Sequence, residues 1–146
     1  PKFPQFYLFD TMFYFYLKTN DERYLKPVEI LLKNICSKGI YDQLVGGIAR
    51  YTVDEKWIVP HFEKMLYDNV QFINLLTKFY QKTKSEYFKQ KLIQSINFLN
   101  KDFINKSGLY GSAYDADSEG VEGKFFTRSY GELEENLKEH LRLVRK

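Results

Sequence analysis

A chain of 146 residues has room for one packed domain with a real core and is too short for two ordinary ones. Its 22 basic and 19 acidic side chains leave a net charge of +3, scattered rather than massed, so neither nucleic acid nor an anionic membrane is an expected partner. With no apolar run near the ~20 residues that span a bilayer, no signal-peptide order in PKFPQFYLFD, and one cysteine, Cys36, without an internal partner, a soluble protein of a reducing compartment, the cytoplasm, is expected.

The first element runs from Pro4 to Lys18. Phe6, Leu8, Phe9, Met12, Phe13, Phe15, Tyr16 and Leu17 cover most of a helix's circumference, which predicts cover on more than one side. Asn20-Asp21 breaks it. Glu22 to Ser37 resumes at helical period through Tyr24, Val28, Leu31, Leu32 and Ile35, with Pro27 placed to mark its true first turn and Gly39 just past its end. Cys36 falls in this helix as a small apolar group. A third helix is expected from Phe62 to Tyr80. Its second half is apolar nearly all round, whereas His61, Lys64, Asp68 and Gln71 fall at i, i+3, i+7 and i+10 and make one polar stripe.

Glu86 to Asn105 is amphipathic through Phe88, Leu92, Ile96, Leu99 and Phe103, and it pairs with the third helix across the turn KTKSE. After Gly108, LYGSAYDADSEGVEGKFFTRS mixes aromatic and small residues and suits short strands or loops. Extended segments are expected near 48 to 53 and 124 to 128. Ser129 and Glu132 form a capping box that opens an end helix, about Tyr130 to Arg142, with His140 on an exposed face. The pattern is all-α, with antiparallel hairpins packed helix on helix. Two helices that are apolar nearly all round need a second layer that these elements cannot supply, so the chain reads as part of something larger.

The connection GIYDQLVGGIARYTVDEKWIVPHFEKMLYDN, residues 39 to 69, carries more aromatic and ionisable groups than a linker needs. Gly46-Gly47 permit a turn or a close approach, and Ala49-Arg50-Tyr51-Thr52-Val53 alternates like a strand. Asp54 ends that strand, and Trp57 with Pro60 sets the way into the third helix. His61 and Glu63 then fall in a first helical turn, where the dipole favours an anionic Glu63 and a neutral His61 able to act as a base. A plain alternative stands beside this: His61 bonded to a loop carbonyl, and Lys64 paired with Asp68 across one turn. The second connection, DADSEG at 115 to 120, opens like a calcium loop, but Phe126 occupies the twelfth position that needs a glutamate, which excludes that motif. Asp115, Asp117, Glu119 and Glu122 are left to bind a polyhydroxylated ligand or a weak cation, or to cap turns. No cofactor and no metal site is assigned.

PKFP, GIYDQL, RYTVDEKW, VPHFEKMLYDN and YDADSEGVEGKFF resemble, in order and spacing, the YyaL-like family that includes spermatogenesis-associated protein homologues. The resemblance implies a thioredoxin-like domain followed by an α/α toroid of the six-hairpin glycosidase type, akin to sugar epimerases. Residues 1–146 would then be the first part of the toroid, without the thioredoxin-like domain and the later hairpins. It further implies a central cleft lined by the loops that lead into inner helices. On that basis His61, Glu63, Asp68, Asp115 and Asp117 are the catalytic candidates. Arg50, Tyr51, Asp54, Trp57, Lys64, Tyr67 and Glu119 are the substrate-binding ones. The sequence departs from the family at Gln43 and Ala49, where histidines are expected, and at Val45, where a glycine is.

Two functions follow from this resemblance. One is a carbohydrate-handling enzyme, epimerase-, isomerase- or glycosidase-like, working by acid/base chemistry with His61 as base, Asp115 or Asp117 as its partner and Trp57 or Tyr51 as a stacking wall. The other is a non-catalytic toroid that binds a glycan or a protein and works with the thioredoxin-like domain. Redox chemistry within this segment is disfavoured, because Cys36 has neither a partner nor an activating cation.

Overall fold

The computed structural model describes residues 1–127 together with Ser129, Gly131, Glu132 and Glu134. One compact unit comprises Pro1–Ala116, and a second begins at Asp117. Most of the expected end helix, with His140, lies outside the described residues; Gly131, Glu132 and Glu134 are helical, and the capping box is visible: the Ser129 N–H donates to Glu132 Oε2 at 2.7 Å, and the Glu132 N–H to Ser129 Oγ at 3.3 Å.

Within the first unit, α1 (Phe6–Thr19) and α2 (Glu22–Ser37) fold back on each other across two residues. Asn20, left-handed at φ 54, closes its N–H onto the Tyr16 carbonyl, and the Asp21 carboxylate caps the Arg23 N–H. The second hairpin, α3 (Leu66–Thr83) and α4 (Glu86–Phe98), turns at Lys84, also left-handed, and ends in a short π-helical stretch, Leu99–Phe103. The hairpins meet through α1 and α3, and the Lys78–Asp10 ion pair at 2.6 Å ties those two helices together. Phe13, Leu32, Ile35, Phe72, Leu76, Phe79 and Phe88 fill the core between them. Cys36 is fully buried there, and burial pushes its thiol up to about 12. It is a packing group.

Three local expectations are corrected. Helix α2 begins at Glu22, so Pro27 lies inside it rather than in its first turn, where it costs the helix one hydrogen bond. Helix α3 begins at Leu66, not Phe62, because β1 (Lys64–Met65) is drawn into an antiparallel pair with β2 (Ala113–Tyr114). Local periodicity cannot register a partner so distant in sequence. The extended segment near 124 to 128 is instead a turn over residues 123–126. The short strands of the second unit are β3 (Asp117–Ser118) and β4 (Val121–Glu122). They join through Glu119 and Gly120, whose φ values of 55 and 76 suit a two-residue hairpin.

Two close approaches explain glycines in the 39–69 connection. A Cβ on Gly39 would fall 1.9 Å from the Ile58 carbonyl oxygen, and one on Gly47 (φ 78) would fall 2.4 Å from the Phe98 ring. The loop can therefore press directly onto its neighbours.

On α1, Tyr7, Leu8, Tyr14, Phe15 and Leu17 remain exposed, where periodicity predicted cover. Contiguous apolar surface of this kind drives association. The 146-residue chain alone is expected to bind an apolar-sensing dye and to self-associate with rising concentration. Tyr14→Lys with Leu17→Lys should suppress both effects in dye fluorescence and sedimentation velocity.

Candidate functional site

The 39–69 connection builds a small ladder from three stretches of chain. Thr52 bridges Lys2 on one side and Pro60 on the other, both antiparallel. This register sets Phe3 opposite Tyr51 and Tyr51 opposite His61, so the three rings stand as one cross-strand row. The Phe3 and Tyr51 centroids lie 4.8 Å apart, and those of Tyr51 and His61 lie 4.6 Å apart at an interplanar angle of 14°. The His61 N–H donates to the Tyr51 carbonyl at 3.0 Å. His61 thus lies beside the Pro60 bridge and ahead of α3, and the helix-dipole account of a neutral His61 does not apply. Tyr51 is packed by a ring on each side rather than presenting an open wall.

Phe62, at φ 68, then shifts the ladder by one residue as a bulge does. The Arg50 N–H donates to the Glu63 carbonyl at 2.8 Å instead of continuing the earlier register. Glu63 Oε2 meets Arg50 Nη1 at 3.3 Å. Glu63 first, with Tyr67 adding a hydrogen bond, raises the Arg50 guanidinium further above its ordinary value.

Asp68, in the first turn of α3, is the group this arrangement leaves in tension. Its Oδ2 is buried and has no hydrogen-bond partner among the described residues. Burial pushes its carboxyl up to about 6, with the Glu63 charge adding to the rise and Arg50 opposing it. A helix N-terminus ordinarily favours the anion. Here burial wins.

Other members of the motif build the scaffold. Lys64, placed by the sequence among substrate contacts and as an Asp68 partner, is 3% exposed. Its Nζ donates to Asp42 Oδ2 at 2.8 Å and to the Gly46 carbonyl at 3.1 Å, and it lies 4.3 Å over the Phe98 ring. Asp54 accepts the N–H groups of Lys56, Ile58 and Val59 and shapes a turn. Trp57 is 5% exposed beneath the Lys2 ammonium, so it stiffens that turn and offers no stacking face. Nothing in the string YDN singles out Asn69, yet it is fully buried. Its Oδ1 accepts the Ile48 N–H at 2.8 Å, and its Nδ2 donates to the Ile48 and Met65 carbonyls. The available signal was an amide on the apolar side of a helix, three residues before Phe72.

Asp115 is exposed and follows Tyr114, the partner of Lys64. Glu63 precedes Lys64, so the two carboxylate-bearing residues flank one ladder pair. Tyr67 is exposed beside Arg50. In the second unit, Asp117 lies exposed on β3, and Glu119 sits at the hairpin turn paired with Lys124. Gln43 and Ala49, the positions where histidines are expected, serve the scaffold, Gln43 through hydrogen bonds and Ala49 through packing. Gln43 Nε2 donates to the carbonyls of Cys36, Lys38 and Tyr41, and Ala49 is buried. Among the described residues no group of three or more His, Cys, Asp or Glu side chains is arranged to hold a metal, and no helix is long and apolar enough to cross a membrane.

No protein-family model matches the chain. Spermatogenesis-associated protein 20 of Mus musculus is 30% identical over 149 residues, covering 95% of this chain and 19% of that protein. The Homo sapiens protein of the same name is 31% identical over 128 residues, covering 85% of this chain and 16% of its own length. The chain thus spans under a fifth of the relatives it matches. Among solved structures, a family 76 glycoside hydrolase from a bovine Bacteroides thetaiotaomicron strain superposes with a TM-score of 0.65 at 22% identity, over 79% of this chain and 24% of that one. A family 76 glycoside hydrolase (mannosidase) from the same species gives 0.62 at 16% identity, over 74% and 28%. At such identities the likeness establishes the fold. Over the segment it spans, the chain is a homologue of spermatogenesis-associated protein 20, and its hairpins are part of an α/α toroid.

Proposed function

We propose that the face formed by Arg50, His61, Glu63, Tyr67 and Asp68 is part of a glycan-processing cleft of glycosidase-like chemistry. The observation that carries this is Asp68: a half-buried carboxyl with one oxygen unpartnered among the described residues, raised to about 6, beside a second carboxylate held by an arginine. Hydrolysis of a glycoside needs two carboxyl groups of unequal basicity. Asp68 gives its proton to the glycosidic oxygen as the carbon–oxygen bond breaks. Glu63 takes a proton from the water that adds to the sugar carbon. Arg50 orients Glu63.

An epimerase-type mechanism draws less support, because Gln43 is bonded to backbone carbonyls and Ala49 is buried, where histidines are expected. A mannosidase among the fold neighbours makes mannosides the first substrates to try. We infer as well that residues 1–146 belong to the first part of the toroid, that a thioredoxin-like domain precedes it in the full-length chain, and that the protein works in the cytoplasm.

The test is the full-length protein against a panel of manno-oligosaccharides and other neutral glycans, with binding and product formation followed separately. Asp68→Asn and Glu63→Gln are each expected to lower turnover by about 10²–10⁴-fold while glycan binding persists. Binding without turnover in the unaltered protein would instead support the non-catalytic toroid. Neither binding nor turnover across the panel would overturn the glycan reading.

A further inference from the structure

The ladder slips by one residue at Phe62, and the slip decides which way Glu63 points. Thr52 bridges Pro60, and the His61 N–H donates to the Tyr51 carbonyl. Carried on in that register, Arg50 would face Phe62, and Ala49 would face Glu63. Successive side chains of a strand alternate between its two sides, and a slip of one residue exchanges them. An unbroken ladder would therefore set the Glu63 carboxylate beside Ala49, which is 2% exposed, where a charge is costly. Instead Phe62 is left as the extra residue. The Arg50 N–H donates to the Glu63 carbonyl at 2.8 Å, and Glu63 Oε2 reaches Arg50 Nη1 at 3.3 Å. Lys64, next in the chain, is paired with Tyr114, so the Glu63 backbone is fixed from both sides.

The residue that absorbs the slip is an uncommon one for the task. A left-handed φ, here 68, at the extra position of a bulge is ordinarily a glycine's, and a bulky side chain there is strained. Such strain persists only where the surrounding structure over-determines it, and it collects at functional sites. From this slip we propose that Phe62 is a positioning residue for the glycan cleft, its left-handed backbone turning Glu63 onto Arg50's side of the ladder. The chemical role of Glu63 rests on the glycosidase-like reading above, and its direction rests on the ladder alone. Asp68 registers both members of the pair: burial first, with Arg50 opposing and Glu63 adding, sets its carboxyl at about 6. Turning Glu63 away would thus alter Asp68 as well as remove the second carboxylate.

The experiment uses the full-length protein and substitutions that sort by backbone instead of by bulk. Glycine and asparagine enter the left-handed region, whereas a β-branched residue is held out of it. Phe62→Gly and Phe62→Asn should therefore keep Glu63 in place although both lose the ring, and Phe62→Ile should lose it although most of the apolar bulk remains. The first readout needs no substrate: the pH titration of the Asp68 carboxyl carbon by NMR, assigned by its loss in Asp68→Asn. Its midpoint, about 6 in the parent, is expected to hold in the glycine and asparagine proteins. In Phe62→Ile it should fall, because Glu63 has turned away and Arg50 is released toward Asp68. The second readout is turnover of whichever glycan is a substrate, with kcat about 10²-fold lower in Phe62→Ile, KM little changed, and the other two near the parent. Should the glycine protein melt too low to titrate, the asparagine protein carries the comparison. An Asp68 midpoint unmoved in Phe62→Ile would overturn the proposal. So would an equal shift in all three variants, which would assign the effect to the ring. If the parent turns over no glycan, the catalytic reading falls and the titration still decides what Phe62 does.

Discussion

Replacing Lys64 by methionine is expected to destabilise the protein by about 3–5 kcal/mol, the range found when one partner of a buried ion pair is removed. The Lys64 side chain is 4% exposed and that of Asp42 18%. Methionine keeps most of the stem's volume and its contact with Phe98, so the loss reports the charge rather than a cavity. What remains is a largely buried Asp42 carboxylate and a Gly46 carbonyl, both without this donor. Burial works against the charge on Asp42. The Lys64 ammonium, with the Val45 and Leu44 N–H groups, outweighs it and holds the carboxyl below its ordinary 3.8. A depressed acid contributes stability above its unfolded value, and the contribution is lost as pH falls through the folded one. The deficit of Lys64→Met should therefore be full near neutral pH and shrink below about pH 4. Asp42→Asn in the same background should recover part of it, since an amide oxygen still accepts from Leu44 and Val45 and no stranded charge remains. Urea unfolding of the parent, Lys64→Met and the double variant, near pH 7 and near pH 3, measures this. A double variant no more stable than Lys64→Met would show that Asp42 is not the group Lys64 neutralises.

The same residue shows where local sequence stops being informative. The hairpins were readable because Val28, Leu32 and Ile35, or Phe72, Leu76 and Phe79, repeat at helical spacing and need only one buried face. The turn residues announced themselves as well: Asn20, Asp21, and the glycines that a Cβ would exclude. The start of α3 was not readable. Lys64 and Met65 have no local reason to leave a helix, and the cause is a pairing with Ala113 and Tyr114 nearly fifty residues on. That displacement took His61 and Lys64 off the expected polar stripe and left Asp68 alone in the first turn. It also separated two kinds of polar residue that look alike in VPHFEKMLYDN. Lys64 and Asn69 are spent on Asp42, Gly46, Ile48 and Met65. Glu63 and Asp68 are left on the face. Burial decides between them, and burial depends on which distant segments close over each side chain.

Asp68→Asn is expected to stabilise the folded protein at mildly alkaline pH while removing activity. In the fold this carboxyl titrates near 6, against an ordinary 3.8, because burial disfavours its charge and Glu63 adds to the effect. An acid whose folded pKa is raised favours folding while it is protonated. That contribution is complete below about 3.8 and is lost as pH climbs through about 6. Above that point the native state carries a charge it solvates poorly. One pKa unit corresponds to about 1.4 kcal/mol, and the partial exposure of Asp68, with screening by solvent, brings the expected gain for Asp68→Asn to roughly 1–2 kcal/mol near pH 8. Near pH 4 the asparagine protein and its parent should be about equal. Activity should follow the same proton, with kcat of the parent falling above about pH 6 as the acid is lost. A group that acts in catalysis and opposes stability is a recognised compromise of active sites. Calorimetric melts of both proteins across pH 4 to 8 decide the matter. If Asp68→Asn is the less stable protein at pH 8, then Asp68 Oδ2 is bonded as an anion in the full-length chain, and its role as the proton donor is lost with it.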